Sequence, residues 1–122
     1  MNIPSTHQTV MPYLIVDDAA GFMDFVKNVF NASIPVQNKN ADGSYGHCEM
    51  NIGGCTMMFS NSIPEWEART GDFFIYVENA DKTFQLAKDA GATVVMELRD
   101  LPYGRSGGVK DAYGNIWWIT TL

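Results

Sequence analysis

The chain has 122 residues, 46% of them apolar, enough to bury one ordinary core or to build two small half-domains that share one. Eight basic against fourteen acidic side chains leave a formal charge of −6, which argues against a nucleic-acid partner, since phosphate-backbone sites need clustered Lys and Arg. No apolar run approaches the length of a membrane span, and the opening residues lack the basic-then-apolar pattern of a secretory signal, so the expected setting is the cytoplasm, with Cys48 and Cys55 as buried thiols.

Residues 1–8 read as a polar lead-in containing His7. Residues 9–16 (TVMPYLIV) read as a strand, and Pro12, which cannot donate a ladder hydrogen bond, requires a free edge there. Asp17 and Asp18 open a helix to about Phe30, with Phe22, Phe25, Val26, Val29 and Phe30 on one face at helical spacing. A short strand over 32–37 and a polar turn over 38–44 lead to a hairpin, 45–52 and 55–60, joined by the two-residue turn Gly53-Gly54. A polar connector, 61–71, carries Ile63 and Trp66. The second half repeats the pattern: a strand over 72–77, a helix over 78–90 stopped by Gly91, a strand over 93–98 and a loop over 99–105. The chain closes on a hairpin, a strand over 106–111, a turn at Ala112-Tyr113-Gly114 and a strand over 115–121. Trp117 and Trp118 are adjacent in that strand and must point to opposite faces, so it is covered on both sides.

The order strand, helix, three strands is stated twice, over residues 9–60 and 72–121. Val16-Asp17-Asp18-Ala19 aligns with Val77-Glu78-Asn79-Ala80 at an offset of 61, and Gly53-Gly54 with Tyr113-Gly114 at an offset of 60. The fold class is therefore α+β: two βαβββ modules in one domain of residues 1–122, with concave faces that enclose a cleft. The glycine turn fixes the first hairpin's register, because directly paired residues share a face. Cys48, Met50, Ile52, Cys55, Met57 and Phe59 form an apolar face that must pack under a helix. His47, Glu49, Asn51, Thr56, Met58 and Ser60 form the other, which is cleft or solvent.

GGVKDAYGNIWWI, the paired βαβββ order and the PYLIVDDA opening together resemble the vicinal oxygen chelate superfamily, within it the glyoxalase/bleomycin-resistance proteins and their PhnB-like branch. The similarity runs from about Thr9 to Thr121. It implies a U-shaped cleft, usually in a homodimer, but not one activity, because this fold hosts lyases, dioxygenases, epimerases and antibiotic-binding proteins. Its enzymes hold a divalent metal with four side chains, and through VDD, MMFS, YVENA and DAYGN those positions fall on Met11, Met58, Asp72 and Trp118. Of these only Asp72 suits a hard divalent ion, so the resemblance leads us to expect no metal of the usual kind and no cofactor. A displaced site from His47, Glu49 and Asp72 is chemically allowed, although the spacing is not a metal signature.

The expected ligand-binding residues are His47, Glu49, Met58, Asp72, Phe74, Tyr76 and Trp118 on the strands, with Tyr103 and Arg105 in a covering loop. No catalytic residue is assigned: there is no nucleophile elbow or phosphate-cradling glycine fingerprint, and a His–Glu pair two residues apart on a strand is common. Flat rings beside one or two charges suit a planar organic molecule, cationic or neutral. Three readings stay open: a metal-free binder of the drug-sequestering kind, a glyoxalase- or dioxygenase-like enzyme with a non-standard metal site, and a scaffold domain whose cleft is filled by its own rings.

Overall fold

The two helices begin where a short polar side chain can satisfy the free amides of a first turn. Asp18 Oδ1 accepts from the Gly21 amide at 2.9 Å, and Asn79 Oδ1 accepts from the Lys82 amide at 3.1 Å, two caps at equivalent places in the repeat. The computed structural model describes all 122 residues. Their order is β1 (Tyr13–Val16), α1 (Ala19–Phe30), β2 (Ser33–Lys39), β3 (Tyr45–Ile52), β4 (Cys55–Asn61), β5 (Asp72–Tyr76), α2 (Ala80–Asp89), β6 (Thr93–Leu101), β7 (Gly104–Lys110) and β8 (Ile116–Thr121). The α+β, twice-stated βαβββ architecture is the one the repeat predicts. The chain forms two compact units, Met1–Arg69 and Thr70–Leu122, each with a four-stranded sheet, in the orders β1-β4-β3-β2 and β5-β8-β7-β6. β1 runs parallel to β4 and β5 to β8, while the remaining pairs are antiparallel.

In the first unit the glycine turn sets the expected register, from Ile52↔Cys55 through Cys48↔Phe59, with Gly53 and Gly54 both at positive φ. The apolar face buries Cys48, Met50, Met57 and Phe59, with the Phe22 ring of α1 edge-on to Phe59 at 5.2 Å. Cys55 departs from expectation. It is exposed, because it follows the turn directly and lies at the hairpin's tip. Cys48 is a buried free thiol.

The second unit buries Trp117, Ile119, Val109, Phe84 and Ala87 between sheet and α2. Gly107 and Gly108 let both faces of β7 be covered closely. A Cβ on Gly107 would stand 2.8 Å from the Phe84 ring, and one on Gly108 would stand 2.5 Å from the Trp118 ring. Two further expectations fail. Residues 9–12 are not strand, because Pro12 cannot continue the ladder, and β1 starts after it as an edge strand. Residues 99–105 are not a loop: Arg99↔Ser106, Asp100↔Arg105 and Leu101↔Gly104 pair around Pro102-Tyr103. The polar side chains that suggested a loop belong to β6, an edge strand that carries charge to solvent. No helix is long and apolar enough to cross a membrane.

Candidate ligand-binding site

The DAYGN turn sets the closing strand of the second unit. Asp111 Oδ1 accepts from the amides of Tyr113 and Asn115, each at 2.9 Å, and Oδ2 accepts from the buried indole N–H of Trp117 at 2.9 Å. Asn115 Oδ1 accepts from the Gly71 amide at 3.0 Å, which ties the start of β5 to the same turn. With Trp117 locked into the core, Trp118 is directed to the other face, where its ring lies over Gly108 and its Nε1 donates to Asp72 Oδ2 at 3.3 Å.

Phe74 pairs with Trp118 and Tyr76 with Thr120, so both rings share that face. Phe74 stands edge-on to Tyr76 at 5.2 Å and 6.1 Å from Tyr103. The three rings are 50%, 61% and 52% exposed for Phe74, Tyr76 and Tyr103, an aromatic surface left out of the core. Asp72, Phe74, Tyr76, Tyr103 and Trp118 thus come together, five of the nine expected site residues. Arg105 does not join them. It lies in β7 opposite Thr121, whose hydroxyl accepts from the first amide of α2, and its guanidinium reaches Asp81 through Nε and Nη2, both at 3.0 Å, and Asp100 at 3.3 Å. The Arg105 bonds hold the Asp81 carboxyl below the usual carboxylate range. The register of the β6–β7 hairpin takes Arg105 to the helix side, which a loop reading could not show.

In the first unit, His47, Glu49 and Met58 lie on the polar face of the β3–β4 hairpin, with Glu49 opposite Met58. The lead-in covers part of that face, a packing with no local signal in the sequence. The Gln8 side chain pairs with the backbone of Thr56, donating to its carbonyl at 2.6 Å and accepting from its amide at 3.2 Å, as a neighbouring strand would. His7 Nε2 meets Glu49 Oε1 at 2.8 Å, and His47 Nε2 meets Glu49 Oε2 at 3.0 Å. Tyr13 Oη lies 3.2 Å from His47 Nδ1. Glu49 as acceptor makes both Nε2 atoms donors, so in the neutral ring His47 Nδ1 accepts from the Tyr13 hydroxyl. The hydrogen bonds from His47 and then His7 hold the Glu49 carboxyl below its ordinary range. Glu49 is therefore a satisfied anchor rather than a free carboxylate.

The four superfamily metal positions do not fit a hard divalent ion. Met11 and Met58 offer thioethers, Trp118 offers no lone pair, and the Asp72 carboxylate faces the indole N–H of Trp118. His47 and Glu49, the alternative donors, are bonded to each other. No group of three or more His, Cys, Asp or Glu is arranged to hold a metal.

A cavity of about 530 Å³ opens beside the hairpin in the first unit, lined by Tyr13, Ile15 and Ser60 and by Ile63, Trp66 and Arg69 of the connector. The connector is fixed there by paired backbone bonds, Ile15 with Arg69 at 2.8–2.9 Å and Ile63 with Trp66 at 2.9–3.1 Å. Nothing near Arg69 in sequence indicates its place at this cavity, which depends on the connector returning to β1.

Residues 6–119 match the model of the glyoxalase/bleomycin resistance protein/dioxygenase superfamily, and the chain belongs to that family. It is 34% identical over 118 residues to the uncharacterised Mycobacterium bovis protein Mb0911c, covering 87% of this chain and 78% of that one. The fold is similar to that of the PhnB protein of Bacillus cereus, with TM-score 0.80 and 19% identity, covering 94% of this chain and all of that one. It is also similar to TioX from Micromonospora, with TM-score 0.75 and 23% identity, covering 93% and 98% of the two chains.

Proposed function

We propose that this chain is a metal-independent small-molecule-binding protein of the glyoxalase/bleomycin-resistance type. Its ligand is a planar organic molecule, cationic or neutral, held against Phe74, Tyr76, Tyr103 and Trp118 with Asp72 at the margin. The observation that carries this reading is the contiguous set of Phe74, Tyr76 and Tyr103 rings, half or more exposed, beside Trp118 on the sheet face away from α2. Aromatic faces beside a carboxylate attract a flat cation through the ring quadrupole and through charge. Within the first unit, taken by itself, His47 and Met58 form a separate polar surface on the β3–β4 hairpin, where Glu49 orients His47. The working form is a homodimer in the cytoplasm, which light scattering on the purified protein checks for assembly.

The test is titration with ethidium, a planar aromatic cation, followed by its fluorescence. Phe74→Ala combined with Tyr76→Ala should weaken binding about tenfold, equivalent to ~1.4 kcal/mol, within the range of a desolvated cation–π contact. Arg105→Ala should leave the affinity unchanged. Equal affinity of the double variant and the wild type would remove the rings from the site. Stoichiometric zinc, nickel or iron in protein purified without chelator would overturn the metal-independent reading.

A further inference from the structure

The cavity of the first unit is separate in its chemistry from the aromatic surface just described. At about 530 Å³ it lies within the range of small-molecule sites. Its walls place apolar surface, a hydroxyl and a cation within one hollow. Trp66 is 55% exposed and Tyr13 48%; the Tyr13 hydroxyl bonds His47 and its ring tilts against the His47 ring at 5.7 Å, which leaves part of the Tyr13 ring toward the cavity. Ser60 is only 9% exposed, faces the same side as Ile15, its partner in the β1–β4 ladder, and its hydroxyl makes no hydrogen bond within the protein.

Arg69 supplies the charge. The first unit holds seven acidic residues against three basic ones, Lys27, Lys39 and Arg69. Lys39 lies over the Tyr45 ring at 5.5 Å, and Lys27 occupies the last turn of α1, where a cation suits the helix dipole. Arg69 has no such employment. Its backbone is pinned to Ile15, yet its guanidinium makes no ion pair or hydrogen bond, even with Glu65 and Glu67 nearby in sequence. In an acidic unit, an unpaired guanidinium on a fixed backbone at the wall of a cavity is a fork awaiting a planar anion.

We infer that this cavity binds an aromatic or unsaturated carboxylate, the carboxylate accepting from Arg69 and Ser60 and the apolar body lying between Trp66 and Tyr13. The inference goes beyond the proposed function: its cavity adjoins His47 and Met58 through Tyr13, but its anchoring contacts are Arg69, Ser60 and Trp66 and its ligand carries the opposite charge.

The probe pair is 2-naphthoate and its neutral counterpart 2-naphthamide, titrated by calorimetry and by amide chemical shifts. The carboxylate should bind at least tenfold more tightly than the amide, with shifts at Ile15, Ser60 and Arg69 and at the Trp66 indole. Arg69→Gln should erase that preference, Arg69→Lys should keep part of it, and Lys27→Gln, an exposed charge elsewhere on the unit, should keep all of it. Trp66→Ala should weaken both probes alike. Equal binding of the two probes, a preference that survives Arg69→Gln, or no binding of naphthoate at millimolar concentration would each overturn the inference. Should Arg69→Gln fail to fold, the shift map of the wild type decides: naphthoate shifts at Phe74, Tyr76 and Trp118 instead of the first-unit residues would also overturn it.

Discussion

Replacing Asp111 by Ala removes one carboxyl and strands three donors. The Tyr113 amide is partly buried and can turn to water. The Asn115 amide and the Trp117 indole N–H are buried and cannot, each having lost a 2.9 Å bond. A buried donor left without a partner costs ~1–3 kcal/mol, so two of them give a loss of about 4 kcal/mol. Few single substitutions reach that size, and here the mechanism is the breaking of a buried hydrogen-bond network. For a domain of this length, 1 kcal/mol moves the melting temperature by about 4 °C, which places the variant about 16 °C below the wild type. Asp111→Asn keeps an oxygen for the two amides but turns an N–H toward the Trp117 indole, so it should lose about half as much. Urea unfolding followed by circular dichroism and tryptophan fluorescence measures both. A loss below about 1 kcal/mol for Asp111→Ala, with an unchanged denaturant slope, would refute the claim that this carboxyl anchors the closing strand.

Three further outcomes are expected. Hydrogen bonds from His47 and His7 depress the folded-state pKa of Glu49, so their stabilisation is present above the unfolded carboxylate pKa and is lost as pH falls through the folded value. Glu49→Gln should flatten that acid limb in urea midpoints taken between pH 7 and pH 3, and an identical limb would exclude the His7–Glu49–His47 arrangement. Gly108→Ala places a methyl 2.5 Å from the Trp118 ring. It should cost ~1–3 kcal/mol and shift tryptophan emission, whereas an unaltered spectrum would mean the ring does not lie on β7. In the folded protein iodoacetamide should label Cys55 and spare Cys48, which is buried and has its thiol pushed up to about 11 by desolvation. Two labels before denaturation, counted by mass spectrometry, would contradict that burial.

The first hairpin shows why part of this architecture is legible in the sequence alone. A two-residue Gly-Gly turn admits one pairing, and from that pairing the alternation of Cys48, Met50, Met57 and Phe59 assigns the buried face. The helix opening at Asp18 and the stop at Gly91 are equally local, since each satisfies or frees a backbone group within a few residues of itself. Boundaries failed where local chemistry was ambiguous. Arg99 and Asp100 look like loop residues because an edge strand and a loop both carry charge to water.

Site residues divide along the same line. Asp72, Phe74, Tyr76 and Trp118 share one face because strand parity within a ladder places them there, a relation visible in the sequence. The face of Arg105 depends on the β6–β7 hairpin, whose charged residues look like a loop, and nothing near Arg69 in sequence tells where the connector returns. His7 met Glu49 only because the lead-in folds back onto β3 and β4. Turn chemistry and apolar alternation therefore sufficed for the two βαβββ modules and the direction of most strand side chains, being interactions between residues a few positions apart. Which carboxylates are already satisfied, and which guanidinium is left unpaired beside a cavity, was settled only by tertiary contact. Those outcomes depend on segments some forty or more residues apart meeting in space, and no short-range pattern encodes them.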